Sequence, residues 1–377
     1  MSRPSAGLIG AAVLLFGTSM SLAGIAWDVQ WHVDVGPDTF FTLSHLMLYA
    51  GSAIAGLSSL AMVLRATAAQ RAGRRTDPEE GGRTVRVLAF DAPLGYLVSG
   101  AGAAMFLLYG MVDLWWHTVY GFDAVLGSPP HVALFSSITV TMVGAVIVFG
   151  FAPGRRWGRA GLALSLPILM LFSPLMLEAV EDLPTGFNAV LVASAFFTTL
   201  CLVLAAGVSS RPAYAVTVAA TLGAMQLVLW FFAPWASRVY ADSTGLPLRD
   251  NLEASPPELA GEAPIFLLVT ALAIAAVLAY GRRASASPRW IPQLAGAAGG
   301  LLVAVSMDAQ IALIGNGPLA APGQLVANAL AGLAAGALAG FLGWRFAGML
   351  RGPAHPAGTV PPAARITQLP LTHGGAA

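Results

Sequence analysis

The chain alternates long apolar runs with short polar connections, and the runs match the thickness of a bilayer. A helix needs about 20 mostly apolar residues to cross the hydrocarbon layer. Ten stretches meet or approach that length: 7–26, 44–64, 92–112, 132–152, 160–177, 187–208, 213–236, 263–280, 291–307 and 324–343. In lipid the backbone polar groups must be paired inside the segment, so each run predicts a helix. Pro167, Pro264 and Pro292 shorten or interrupt the fifth, eighth and ninth. The first run follows a single arginine and is long for the apolar core of a signal peptide, so it reads as a span. The predicted fold class is all-α, a polytopic membrane protein of about ten spans built from helical hairpins.

Composition agrees. Of 377 residues, 57% are hydrophobic and 10% charged, against about 25% charged in soluble domains. That excludes an ordinary water-soluble enzyme and a wholly disordered chain. A net charge of +1 offers no footprint for nucleic acid. All 19 basic residues are arginine, a bias expected of a GC-rich bacterial genome. The one cysteine, Cys201, excludes a disulfide framework or thiolate cluster within one chain. A metal site here must use nitrogen and oxygen ligands.

The arginines predict orientation. They follow the even spans, as Arg65 to Arg86, Arg155 to Arg159, Arg211, Arg282 to Arg289 and Arg345 to Arg351, and Arg3 precedes the first. The opposite connections carry only Arg238 and Arg249 and most of the acids. By the positive-inside rule both termini are expected in the cytoplasm of a bacterial inner membrane, with the odd-numbered span ends at the outer face. The expected organisation is a metal-binding hairpin pair over 1–152, a scaffold of degenerate hairpins over 153–351, and a disordered tail over 352–377. The Arg65–Arg86 loop is expected to be flexible.

The polar residues carry a repeat. After the first span stand Asp28, Trp31, His32, Gly36 and Asp38, and after the third Asp113, Trp116, His117, Gly121 and Asp123, each offset by 85 residues (28 to 113, 32 to 117). A further histidine opens the next span, His45 and then His131, at an offset of 86. This predicts two hairpins of one design, each about 40 residues long. Asp28 and His32 share a helix face if the span continues that far, as do Asp113 and His117. Each hairpin then converges one carboxylate and two imidazoles. Two His and one carboxylate with open positions suit Cu, non-haem Fe(II) or Zn, and spacing alone does not choose. Haem is a rival use of paired histidines, though it needs no carboxylate. Asp38 and Asp123 either complete the shell or hold a ligating ring by its other nitrogen. Trp31 and Trp116 either shield the site or sit at headgroup level. The bland alternative is an interfacial cap, where Trp, His and Asp are common.

Later hairpins look like eroded copies. Trp235 and Tyr240 match Trp116 and Tyr120, and Ser255-Pro256-Pro257-Glu258 matches Ser128-Pro129-Pro130-His131 with Glu at the His position. They read as scaffold, or as an acidic vestibule that concentrates cations. Gly332, Gly336 and Gly340, four apart, predict close helix packing.

The stretch with Trp31-His32, then Asp38-Thr39, then Phe41-Thr42, then Ser44-His45 resembles the C subunit of the copper membrane monooxygenases, the particulate methane and ammonia monooxygenase family. The resemblance covers roughly 26–137. It implies copper held by Asp28, His32 and His45. It also implies a second position at Asp113, His117 and His131, where the family is expected to have an amide in place of Asp113. It further implies O2 activation beside a lipid-accessible pocket for a small apolar substrate, with two partner subunits, one of them carrying cupredoxin domains; a homo-oligomer is the alternative to such partners. The expected function is thus a copper-dependent oxygenase component, with iron or zinc still open as the metal. The alternatives are a copper storage, sensing or transport protein without oxygen chemistry, and a structural membrane protein.

Overall fold

The structure, a computed structural model, describes residues 5–36, 39–121, 127–250, 256–284, 290–314 and 318–351. Asp38, Asp123, Ser255 and the expected tail, with its His355 and His373, lie outside the described residues. The elements are α1 (Ala6–Asp34), α2 (Leu43–Arg71), β1 (Thr84–Val87), β2 (Phe90–Pro93), α3 (Leu94–Tyr120), α4 (Pro129–Gly150) and α5 (Arg156–Leu177). They continue with α6 (Ala189–Val208), α7 (Tyr214–Thr244), α8 (Glu258–Glu262), α9 (Leu267–Arg283), α10 (Ile291–Ile314) and α11 (Pro322–Arg351). Among the described residues, ten helical segments are long and apolar enough to cross a membrane, the eighth formed by α8 and α9 together. The all-α polytopic reading therefore holds.

The helices pack as antiparallel hairpins, α1 with α2, α3 with α4, and α10 with α11. The most enclosed are α5 and α6, which lie between the other spans. The glycine stripe of α11 meets glycines of α10 backbone to backbone. A Cβ on Gly300 would stand 2.1 Å from the Gly332 carbonyl oxygen, and one on Gly336 2.3 Å from that of Gly296. Only glycine permits this approach, as the spacing predicted.

Prolines inside the bundle free backbone groups that lipid will not satisfy, and polar side chains take them over. Pro174 cannot donate to the Met170 carbonyl, and Ser173 Oγ donates to it instead at 2.7 Å. At Pro264 the eighth span breaks between α8 and α9. There Gln226 Nε2 donates to the carbonyls of Ala260 (2.7 Å) and Ala263 (2.9 Å). Gln310 Nε2 donates to those of Gly261 (2.7 Å) and Ala263 (3.0 Å), and its Oε1 accepts from Ile265 N at 2.8 Å. Two buried amides from α7 and α10 thus replace the lost helical bonds.

The connection expected to be a flexible loop is built instead. α2 continues to Arg71, and β1 and β2 pair antiparallel in register Thr84↔Pro93 to Val87↔Phe90. Polar ties hold it down. Asp91 N donates to Thr67 Oγ1 at 3.0 Å, and Arg155 of the α4–α5 connection binds Glu79 and Asp77. The Arg155 guanidinium is held even further above its ordinary range by the Glu79 carboxylate.

Replacing Gln310 by the similarly sized methionine removes three hydrogen bonds at the α8–α9 break. We expect a loss of about 2–4 kcal/mol, as unsatisfied buried groups cost about 1–3 each. Thermal unfolding of the detergent-solubilised variant against wild type would show this, and an unchanged melting temperature would contradict it.

Candidate metal centre

Helix length decides the geometry. The apolar runs of the first and third spans end near residues 26 and 112, but α1 and α3 each continue about two turns further, to Asp34 and Tyr120. Asp28 and His32 therefore share one face of α1, and Asp113 and His117 one face of α3. The next helices start close by and bring in His45 near the start of α2 and His131 in the first turn of α4.

The three donors of each set converge. Asp28 Oδ1 lies 3.1 Å from His45 Nε2, and Oδ2 lies 3.9 Å from His32 Nε2. Asp113 Oδ1 lies 3.3 Å from His117 Nε2 and 3.5 Å from His131 Nε2. Within each trio one donor atom per residue lies within 4.8 Å of the others. Ligands about 2.0–2.1 Å from a tetrahedral ion sit about 3.3 Å apart. Both trios thus fit a metal ion in donor chemistry and spacing.

Backbone carbonyls orient two of the rings. His45 Nδ1 lies 3.0 Å from the Thr39 oxygen, and His117 Nδ1 lies 3.1 Å from the Gly121 oxygen. A nitrogen facing a carbonyl must carry the proton, which leaves Nε2 with a lone pair for an ion. Each carbonyl is itself placed. Thr42 Oγ1 donates to the Thr39 oxygen at 2.7 Å. Gly121, at φ +88°, turns the chain at the end of α3 so that its oxygen reaches back to His117. Gly36, its counterpart after α1, also has positive φ, +132°. Asp28 accepts a further bond from Ser44 Oγ at 2.8 Å. At the matching place before His131 stands Pro130, which has no hydroxyl.

The placement at an outer face is corrected. Asp28 and Asp113 are buried, at 7% and 6% exposure, and the four histidines are half-buried. Because α1 and α3 outrun their apolar stretches and α2 and α4 pack beside them, each carboxylate faces a neighbouring helix rather than water. The multi-pass topology stands, but the two clusters belong to the helical interior.

All six residues line one cavity of about 50 Å3, together with Phe40, Tyr49, Phe106, Phe135 and aliphatic side chains. Tyr49 stacks on His45, with centroids 5.9 Å apart and planes at 19°, and Phe135 stacks on His131 at 6.0 Å and 19°. These rings were not singled out in the sequence. The signal was there, as each aromatic follows its histidine by four residues. Trp31 and Trp116 are not in the lining. Trp31 packs on Tyr240 of α7 at 4.9 Å, and Trp116 on Tyr120 at 4.4 Å.

The second half holds other polar groups. Asp308 accepts both of its contacts from Asn328 Nδ2, at 3.1 and 3.2 Å, bridging α10 and α11. Glu178, Glu181, Glu258 and Glu262 line a separate cavity of about 680 Å3. Neither includes a histidine.

Ser44→Ala removes a donor to a buried carboxylate. We expect the metal-free protein to lose about 1–3 kcal/mol, in the range of bonds to charged groups. Chelator-treated wild type and variant would be compared by thermal unfolding, and equal stability would rule the bond out as a support of Asp28.

Set against known proteins, the chain matches no family model, no curated protein and no solved structure.

Proposed function

We propose that each trio holds one metal ion, copper first, and that the chain is the metal-carrying component of a membrane oxygenase. The observation that carries this is the pair of N,N,O donor sets facing one small cavity with otherwise aromatic and aliphatic walls. The parallel build of the two hairpins supports reading them as copies of one unit. The choice of copper rests on the resemblance around Asp28, His32 and His45. Iron(II) and zinc accept the same donors.

The residues divide the work. Asp28 and Asp113 neutralise part of the ion's charge inside the bundle. The carbonyls of Thr39 and Gly121 hold His45 and His117 in the ligating tautomer. Phe40, Tyr49, Phe106 and Phe135 keep bulk water out. When bound, copper would supply one-electron redox chemistry and an open position for O2. A water needs about 10–15 Å3 of such space, so the cavity at about 50 Å3 admits O2 or a very small apolar molecule. A larger substrate would require side-chain movement. Monooxygenase-type partner subunits or further copies of the chain belong to the same proposal.

The second reading is copper storage, sensing or transport without oxygen chemistry. The four-carboxylate cavity favours it as a place where cations collect.

Metal content by mass spectrometry tests the core of the proposal. We expect two copper ions per wild-type chain after loading, and about one in His32→Ala and in His117→Ala. No metal in any of the three would end the metal reading. Full occupancy without O2 consumption, given reductant and small apolar substrates, would end the oxygenase reading and leave storage or transport.

A further inference from the structure

The end of α2 opposite His45 carries a second built feature. The chain leaves α2 at Arg71 and turns through Gly73 at φ +69°. Arg74 N bonds the Ala69 oxygen at 2.9 Å, and Gly73 N bonds the Gln70 oxygen at 2.9 Å. This double closure with a left-handed glycine is a Schellman motif, and it fixes the backbone of Arg74 against the helix end. Between this turn and the helix runs a slot of about 230 Å3. Met62, Ala66 and Ala69 form its apolar wall, and Arg65, Arg74 and Arg75 its basic one.

The charges do not cancel within it. Asp77 and Glu80 also line the slot, so three guanidiniums face two carboxylates. Arg65 is committed to Glu80 at 3.4 Å, and Asp77 to Arg155 at 3.4 Å. Arg74 and Arg75 have no ion-pair partner among the described residues and point two exposed cations at the slot rim.

Position selects the ligand. α2 has 29 residues, about 43 Å at 1.5 Å each, and the hydrocarbon layer is about 30 Å thick. Its apolar run ends at Leu64, just before Arg65. The slot thus starts at Met62 inside the apolar stretch and ends beyond the helix at Arg75. By the length of that apolar run, the slot is expected at the level where acyl chains give way to phosphates.

We infer that this slot binds the phosphodiester headgroup of an anionic phospholipid. The guanidiniums of Arg74 and Arg75, with Arg65 behind them, take the phosphate oxygens by charge-assisted hydrogen bonds. Ala66 and Ala69 lie beside the glycerol region, and the largely buried Met62 at the inner end of the slot meets the first methylenes of the acyl chains. A soluble phosphate would use the arginines but leave the apolar wall bare. A zwitterionic lipid brings a cation of its own toward Arg74 and Arg75.

Native mass spectrometry on delipidated full-length protein tests this. The probes are phosphatidylglycerol, phosphatidylcholine of the same acyl chains, and inorganic phosphate. Wild type should retain one phosphatidylglycerol per chain with about tenfold or greater preference over phosphatidylcholine, since each arginine near a lipid surface contributes about 1 kcal/mol. The double variant Arg74→Gln/Arg75→Gln, at exposed positions, should lose that preference. Arg83→Gln/Arg86→Gln, with the same charge change on the neighbouring β-hairpin, should keep it. Unchanged retention in the first variant overturns the inference. So does an equal loss in the second, which would mean a diffuse basic surface. Displacement of the lipid by millimolar inorganic phosphate would reassign the slot to a free anion.

Discussion

A carboxylate inside a helical bundle must be given partners, and much of the candidate centre follows from that demand. An isolated charge in a low-dielectric interior costs several kcal/mol even after relaxation. Asp28 accepts from Ser44 Oγ, and the Nε2 atoms of His32 and His45, like those of His117 and His131 at Asp113, satisfy the carboxylate through a ring proton or a bound ion. Meeting it requires α1 and α3 to run past their apolar stretches and requires α2 and α4 to begin with a histidine on the correct face. The turns must be closed by residues able to do so, which is why glycines at positive φ end α1 and α3. What satisfies the carboxylates is also a ligand set, so the two roles are inseparable in this fold.

The same economy runs through the rest of the membrane-embedded backbone. Where proline interrupts a span, a neighbouring side chain supplies the missing donor. Ser173 does this within α5, and Gln226 and Gln310 do it across helices at the α8–α9 break. The two glutamines also tie α7 and α10 to one short irregular segment. The weakest points of the secondary structure are therefore joints of the tertiary structure. In the last hairpin, glycine-to-backbone contact does the holding, with the Asp308–Asn328 pair as the polar link between α10 and α11.

The two trios are alike in donors and in the carbonyl support of one histidine each, yet they differ in detail. The first has Ser44 on its carboxylate and a phenol stacked on its second histidine. The second has Pro130 and a phenyl ring in those places. Both face one cavity, and its small volume makes the walls as selective as the ligands. A chamber of this size, lined by rings, leaves room beside the two trios for very small molecules alone.

The spans were legible in the sequence because lipid imposes one local rule, that about 20 apolar residues must close their own hydrogen bonds. Hydropathy alone therefore located ten helices, and the four-residue spacing of Asp28 with His32 placed them on one face before any coordinates. The wording of the two hairpins likewise brought all six candidate ligands together. Hydropathy could not tell where α1 and α3 would stop, because their last two turns mix charged and polar residues with apolar ones. So it put the trios at an outer face, and the packing of α2 and α4 put them inside. Nor could it show that the link between α2 and α3 is folded, since Thr67, Arg155 and Asp91 are far apart in the chain. That His45 and His131 look into one cavity, with Tyr49 and Phe135 against them, was decided by the packing of the two hairpins. Each hairpin's sequence dictates its own turn and face, but no local pattern records which other hairpin that face will meet.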